Sequence, residues 1–195
     1  MKILAIAGAL RRASTNRGMI RAAARLRPED VDLSIAEIAD LPLYDMDLDP
    51  SGGDASGAPN PTAAAWPPAV ARLRAEFAAA DAVLVAVGVN NVMTPPALSN
   101  ALAWLSRPEL DGDEKIRLLK GKTFGLMSSG GGRAGADGRE EFAKSLGILG
   151  AKVIDESIDV VFFGDDFDRA TGDVVGPELE VRIRSLVELL VKAAA

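Results

Sequence analysis

An α/β fold on a parallel sheet, covered by helices on both faces, is what this sequence predicts. Three observations carry the prediction. Short, continuously apolar segments recur along the chain, segments of helical periodicity separate them, and glycines or prolines punctuate the joins. Unbroken apolarity marks a strand buried on both faces, and strict alternation of strand with helix makes neighbouring strands parallel.

The run "KILAIAG" (2–8) is the first such strand, ending in glycine. A helix follows from Ser14, with Met19, Ala23 and Leu26 on one side and Pro28 just beyond its end. "VDLSIAEI" (31–38) alternates apolar and polar residues and reads as a second strand. "PPAVARLRAEFAAA" (67–80) opens on prolines and puts Val70, Leu73 and Phe77 on one helical stripe. "AVLVAVG" (82–88) is a third buried strand, and Leu98, Ala101, Leu102 and Leu105 mark a helix after Pro95–Pro96. "KTFGLMS" (122–128) is a fourth strand, followed by a helix at "EEFAKSLGIL" (140–149) with Phe142, Leu146 and Leu149 inward. "AKVIDE" (151–156) is a fifth strand that resumes at "VVFF" (160–163), and "ELEVRIRSLVELLV" (178–191) closes the chain as an amphipathic helix. No internal repeat or second domain is visible, so residues 1–195 are expected to form a single domain.

Residues 45–67 form the one long irregular segment, expected to be a surface loop. Asp45, Asp47 and Asp49 imitate a calcium loop, but Pro50 stands where the turn needs glycine and Ser56 where it needs a bidentate glutamate. No metal site is therefore expected.

Composition excludes several chemistries. Apolar residues make up 48% and charged residues 26%, ordinary values for a soluble domain. The longest apolar runs are far shorter than the ~20 residues a bilayer demands, and the opening segment lacks a small-residue cleavage site, so neither a membrane span nor a secretory leader is expected. The absence of cysteine fits a cytoplasmic protein without thiol chemistry. With no histidine, the chain has no imidazole base, no imidazole metal ligand and no serine–histidine triad. A net charge of −6 argues against a polynucleotide partner. Yet residues 1–28 hold Lys2 and six arginines without a single acid, leaving −13 for the remainder. That basic opening suits a small anion, although Arg21, Arg25 and Arg27 read as a solvated helix face.

In open α/β sheets ligands sit beyond the carboxyl ends of the strands, which here means loops 8–16, 88–95 and 128–135. The first, "GALRRASTN", runs into a helix N-terminus, whose free N–H groups and partial positive charge attract anions. Ser14, Thr15 and Asn16 add polar donors and Arg11 a fixed charge, a set suited to phosphate. A plain helix cap would need Ser14 alone. No GK[ST] Walker loop exists, and Gly8 and Gly88 stand where a receiver domain would carry aspartates. "GGGRAG" (130–135) satisfies G-x-G-x-x-G with Asp155 at a ribose-binding spacing, but it follows the fourth strand rather than the first.

At these residues the chain resembles the NADPH-dependent FMN reductase family, which includes quinone, azo-dye and chromate reductases. "GALRRASTNR" is similar to the family's phosphate loop G-S-L-R-x-x-S-x-N, and "LPLYDMDL" (41–48) to its segment after the second strand. "PPALSNALAWLSRP" (95–108) resembles its P-G-x-L-K-N-A-x-D-W-x-S-R-P block, and "GKTFGLMSSGGGRAG" (121–135) its fourth strand and flavin-side loop. The resemblance implies a three-layer α/β/α flavodoxin-like fold with sheet order 2-1-3-4-5, FMN as cofactor, and a homodimer or homotetramer. It also implies NADPH or NADH as reductant and a small acceptor such as a quinone, free flavin, azo compound or metal ion. Arg11, Ser14 and Asn16 would hold the FMN phosphate, with Gly8 and Thr15 completing that loop. Backbone groups of Gly88, Val89, Asn90, Asn91 and Val92 would meet the ring edge. Those of Ser128, Ser129, Gly130, Gly131 and Gly132 would meet charge near N1 and O2 of the reduced ring. No side chain is expected to be catalytic, because the flavin carries the chemistry. Two departures stand out: Ala9 replaces a serine, and Asn90 replaces the tyrosine that lies beside the ring. The second keeps open a flavin- or nucleotide-binding carrier or sensor without turnover, and the 130–135 glycines keep open a dinucleotide binder.

Overall fold

Alternate residues of the central strands face opposite helical layers, and this period of two builds the molecule. The computed structural model describes residues 1–52, 60, 62–111 and 114–195, with side chains described outside 109–115. Residues 53–59 and 61 of the irregular segment, Ser56 among them, lie outside that description.

Five parallel strands, β1 (Lys2–Ala7), β2 (Asp32–Ile35), β3 (Ala82–Ala86), β6 (Thr123–Gly130) and β7 (Lys152–Val161), pair in the order β2-β1-β3-β6-β7. Counting only these strands, the order is 2-1-3-4-5, the flavodoxin-like arrangement that the family resemblance implies. From β1, Ile3, Ala5 and Ala7 join Ala82, Leu84 and Ala86 of β3 against α1 (Thr15–Leu26) and α5 (Pro177–Ala194). From the same strands, Leu4, Ile6, Val83 and Val85 face α2 (Pro68–Ala79), α3 (Pro96–Leu105) and α4 (Ala136–Ile148). Two cores therefore sandwich one sheet. Pro68, Pro96 and Pro177 each stand in the first turn of a helix, where the missing N–H costs nothing.

The structure departs from the sequence reading in five places, the first being β2, which covers Asp32–Ile35 rather than 31–38. A small antiparallel pair, β4 (Glu109–Asp111) with β5 (Glu114–Ile116), was not expected. β6 continues through Ser128 and Ser129 to Gly130, paired with β7 as far as Val161. β7 runs unbroken from Lys152 rather than resuming after a gap. A register shift opposite Gly125 absorbs the extra residues of β7, which places exposed Asp155 and Glu156 at an irregularity on an edge strand. Finally, α4 begins at Ala136, one turn earlier than its apolar periodicity.

The α2–α3 face is closed by Trp104. Fully buried, it donates from Nε1 to the Pro42 carbonyl at 2.9 Å and meets Tyr44 and Trp66 edge-on, at 4.9 and 6.3 Å between centroids. Arg74 lies over the Trp66 ring at 4.0 Å and donates to the Trp104 and Arg107 carbonyls. Trp66 thus packs on this face and does not cover the ligand loops. Trp104→Ala is expected to lower unfolding stability by about 3–5 kcal/mol in urea titration. A loss below about 1 kcal/mol would show that this aromatic cluster is not part of the core.

Candidate active site

Hydrogen bonds at the strand ends stagger the three loops so that they meet. Gly8 N–H donates to the Ala86 carbonyl and Val87 N–H to the Met127 carbonyl, each at 2.8 Å. A Cβ on Gly8 would stand 2.2 Å from the Val87 oxygen, so only glycine lets the first and second loops approach this closely. Gly88 then turns the chain with a left-handed φ of +76°.

Asn16 locks the first loop to the third. Its Nδ2 donates to the Ser129 carbonyl and its Oδ1 accepts from the Ser129 N–H, both at 2.9 Å and both buried. One Nδ2 hydrogen remains beyond that pair. Ser129 Oγ donates to Thr15 Oγ1 at 3.0 Å, which leaves the Thr15 proton free to point elsewhere. Ser14 occupies the N-cap of α1 with extended backbone, yet its hydroxyl makes no capping bond although the residue is buried. A plain capping role is therefore not what the geometry displays. The N–H groups of Thr15, Asn16 and Arg17 open the helix without intrahelical acceptors.

The basic opening resolves into two classes of arginine. Arg17, Arg21 and Arg25 pair with Glu37, Asp173 and Glu180 at 3.8, 2.6 and 2.6 Å. Arg21 and Arg25 are thus tied to the α5 side rather than simply solvated. Arg27 donates to the Ala24 and Val31 carbonyls. Arg11 is exposed and forms no ion pair among the described residues. Arg133 is held by Asp137 and Glu140, so its charge is already answered locally.

A cleft open to solvent brings together ten of the sequence-predicted residues: Arg11, Ser14, Thr15, Asn16, Gly88, Val89, Asn90, Ser129, Gly130 and Gly131. It does not bring in Gly8, Asn91, Val92, Ser128 or Gly132. Gly8 lies beneath the loops, against Val87. Ser128 is fully buried, accepting from Gly88 N–H at 3.1 Å and donating to the Gly135 carbonyl at 3.0 Å, so it braces the second and third loops from below. Asn91 and Val92 form the tip of a hairpin turn, with φ of 51° and 60°, closed by two 3.0 Å bonds between Asn90 and Met93. Of the predicted third-loop donors, Ser129 N–H is taken by Asn16 and Ser128–Gly130 lie in the ladder. The N–H groups of Gly131 and Gly132 remain past the strand end, and a Cβ on Gly132 would meet nothing within 4 Å. There is open space over this turn.

Ala9 and Pro95 also line the cleft, within the predicted loops, whereas Phe162 lies outside them and was missed. Phe162 is delivered by the unbroken β7, its N–H bonded to the Gly130 carbonyl at 3.0 Å. The "VVFF" run was its signal, but exposure of an aromatic at a strand end is invisible to periodicity. Asp155 sits near the middle of β7, opposite Gly125 and five residues below Gly130. That is roughly 17 Å at strand rise, which removes the acid the dinucleotide reading needs.

The donor set fits a phosphorylated flavin: free helix N–H groups, two hydroxyls and an arginine without an ion pair among the described residues face one side of the cleft, and an open glycine turn the other. Among the described residues no group of acids is placed to hold a metal ion, and no helix is long and apolar enough to cross a membrane.

Two substitutions separate positioning from strain. Asn16→Ala removes both buried bonds to Ser129 and is expected to cost about 1–3 kcal/mol in chemical denaturation; no loss would show that the loops hold without it. A β-branched residue in the left-handed region is strained, so Val92→Gly is expected to raise stability by about 1 kcal/mol. Destabilisation instead would show that Val92 makes contacts outweighing its backbone.

The model of the NADPH-dependent FMN reductase family matches residues 1–163. An NAD(P)H-dependent FMN reductase of Pseudomonas aeruginosa is 32% identical over 135 residues, covering 69% of this chain and 63% of that protein. An NADPH:quinone oxidoreductase of Arabidopsis thaliana is 30% identical over 153 residues, covering 76% and 67%. The chain spans about half to two thirds of the length of the curated relatives it matches. Among solved structures, FerB of Paracoccus denitrificans, described as a flavoenzyme NAD(P)H:(acceptor) oxidoreductase, superposes with a TM-score of 0.71. It is 22% identical, with 98% of this chain and 97% of that chain covered, and it speaks for the fold. The extent of the family match and the loops that carry it give one assignment: this chain belongs to the NADPH-dependent FMN reductase family.

Proposed function

We propose that the protein binds FMN in the cleft between its three loops and uses it to pass electrons from NAD(P)H to a small acceptor. Candidate acceptors are a quinone, a free flavin, an azo compound or a metal ion. One observation carries this reading: the Ser14 hydroxyl, which makes no capping bond, lines the cleft beside the open N-terminus of α1 and beside Arg11, which has no ion pair among the described residues. A cap that caps nothing, next to a cation with no ion pair among the described residues, suits an anion. Family membership supplies the identity of the anion-bearing group.

In this reading Arg11, Ser14, Thr15 and the first N–H groups of α1 hold the phosphate. Asn16 positions them and offers its one remaining N–H. Backbone groups at Gly88, Val89 and Asn90 border the ring, and the Gly131 and Gly132 N–H groups face its electron-rich edge, where they favour negative charge. The chemistry FMN supplies when bound is acceptance of a hydride from NAD(P)H and return of the electrons to an acceptor. The chain's part is to bind, to orient and to stabilise charge, and water delivers protons where histidine is missing. Asn90 leaves the ring without the stacking of a tyrosine, about 1 kcal/mol. That lost contact favours, as a second reading, a flavin-binding carrier or sensor without turnover. We further propose one domain over residues 1–195, a homodimer or homotetramer, and a cytoplasmic site of action.

Purified protein mixed with FMN is expected to take up the flavin, with a shifted visible absorbance spectrum, and to oxidise NADPH when a quinone is added. Uptake without NADPH oxidation would support the carrier reading, and no uptake would end both. Arg11→Ala combined with Ser14→Ala removes charge-assisted bonds of about 1.5–3 kcal/mol and is expected to weaken FMN binding at least about tenfold. Unchanged affinity would place the phosphate elsewhere.

A further inference from the structure

Beside the cleft, and sharing Arg11, Thr15 and Phe162 with it, lies a second cavity of about 310 Å³. Its other walls include Phe163, Phe167, Asp168 and Arg169. We infer that this cavity binds the phosphorylated adenosine end of the reduced dinucleotide, an inference that rests on the proposed function of the neighbouring cleft.

Two features of the cavity point to an aromatic anion, and a third limits what opposes it. Phe162 and Phe163 stand with ring centroids 3.9 Å apart, tilted by 43°, and are 42% and 64% exposed, which gives a planar base an apolar surface to cover. Arg11 and Arg169 are exposed on its walls and neither forms an ion pair among the described residues. The acid present, Asp168, already accepts from the Thr171 hydroxyl and from the Ala170 and Thr171 N–H groups, and these bonds hold its carboxyl below the usual carboxylate range. It stays ionised, but its oxygen is turned to its own loop and it pairs with neither arginine among the described residues.

The far wall is built rather than draped. Phe167 and Val174 pair across an antiparallel bridge, Asp168 N–H donates to the Asp173 carbonyl at 2.8 Å, and Arg21 of α1 grips both Asp173 and the Thr171 carbonyl. A Cβ on Gly18 would lie 1.8 Å from the Gly172 oxygen, so the wall sits directly on α1.

Position selects the occupant. The cavity opens on the Arg11 side of the cleft, where the flavin phosphate is proposed, and Gly88–Asn90 and Gly131 border the cleft without lining the cavity. An acceptor that must touch the ring gains nothing there. A two-ended reductant, with nicotinamide at the ring and adenosine remote from it, reaches both places. Arg169 would then meet a phosphate of the nucleotide, and the two phenylalanines its base.

The test is calorimetric titration of adenosine 2′,5′-bisphosphate into FMN-saturated protein. Binding is expected, and Arg169→Ala and Phe163→Ala are each expected to weaken it at least about tenfold while the FMN affinity stays within about twofold. No binding to the FMN-saturated protein overturns the inference. So does binding that disappears as FMN is added, which marks the flavin cradle as the site, or equal binding by both variants. Self-association abolished by Phe163→Ala, without nucleotide binding, overturns it in favour of a contact between copies. Failure of FMN uptake itself overturns both this inference and the reading beneath it, whereas FMN uptake without nucleotide binding overturns this inference alone.

Discussion

The carboxamide of Asn16 is the constraint on which the site depends. It joins two segments 113 residues apart through a reciprocal pair of buried hydrogen bonds to a single peptide unit, that of Ser129. A carboxamide is the side chain that mimics a peptide's own donor and acceptor, so the start of α1 is fastened almost as another strand would be. Once fastened, the free N–H groups of the helix and the open turn at Gly131 border one cleft. Ser128 repeats the device one residue earlier, tying the second loop to the third by a hydroxyl that accepts from one and donates to the other. The loops are aligned from below, and the surface above them is left for a ligand.

Electrostatics follow from which charges are answered. An acidic chain with a basic opening segment looks contradictory until the pairs are traced. Acids from distant parts of the chain neutralise Arg17, Arg21 and Arg25, and carbonyls hold Arg27, so the positive charge that survives near the helix start is concentrated at Arg11 and its neighbour Arg12. Local cation in a globally negative molecule favours small anions and disfavours polynucleotides. The chemistry assigned to the site asks for little more, because the reacting atoms belong to a cofactor and the chain's task is placement.

The sheet was legible because its three central strands are buried and read as short apolar runs, because β2 alternates, and because prolines mark the first turns of three helices. Most of the cleft was legible for the same reason, since strand ends locate loops. What stayed hidden depends on tertiary pairing. No pattern in "SSGGG" says that Ser128 faces down while Gly131 faces out, because that is decided by where the β6–β7 ladder stops. The two extra residues absorbed by β7 made one strand look like two. The exposed phenylalanines after it read as part of the resumed strand. The hairpin at Asn90–Met93 places a valine where such turns prefer glycine, so its signal ran against propensity.

The central claim is that the first loop grips a phosphate, and comparing two ligands that differ only in that group tests it most directly. Titrating the protein with FMN and with riboflavin isolates the phosphate's contribution. Two or more charge-assisted bonds at about 1.5–3 kcal/mol each predict that FMN binds at least about a hundredfold more tightly. Equal affinity for the two would contradict the account, because the isoalloxazine ring alone would then be what the protein recognises.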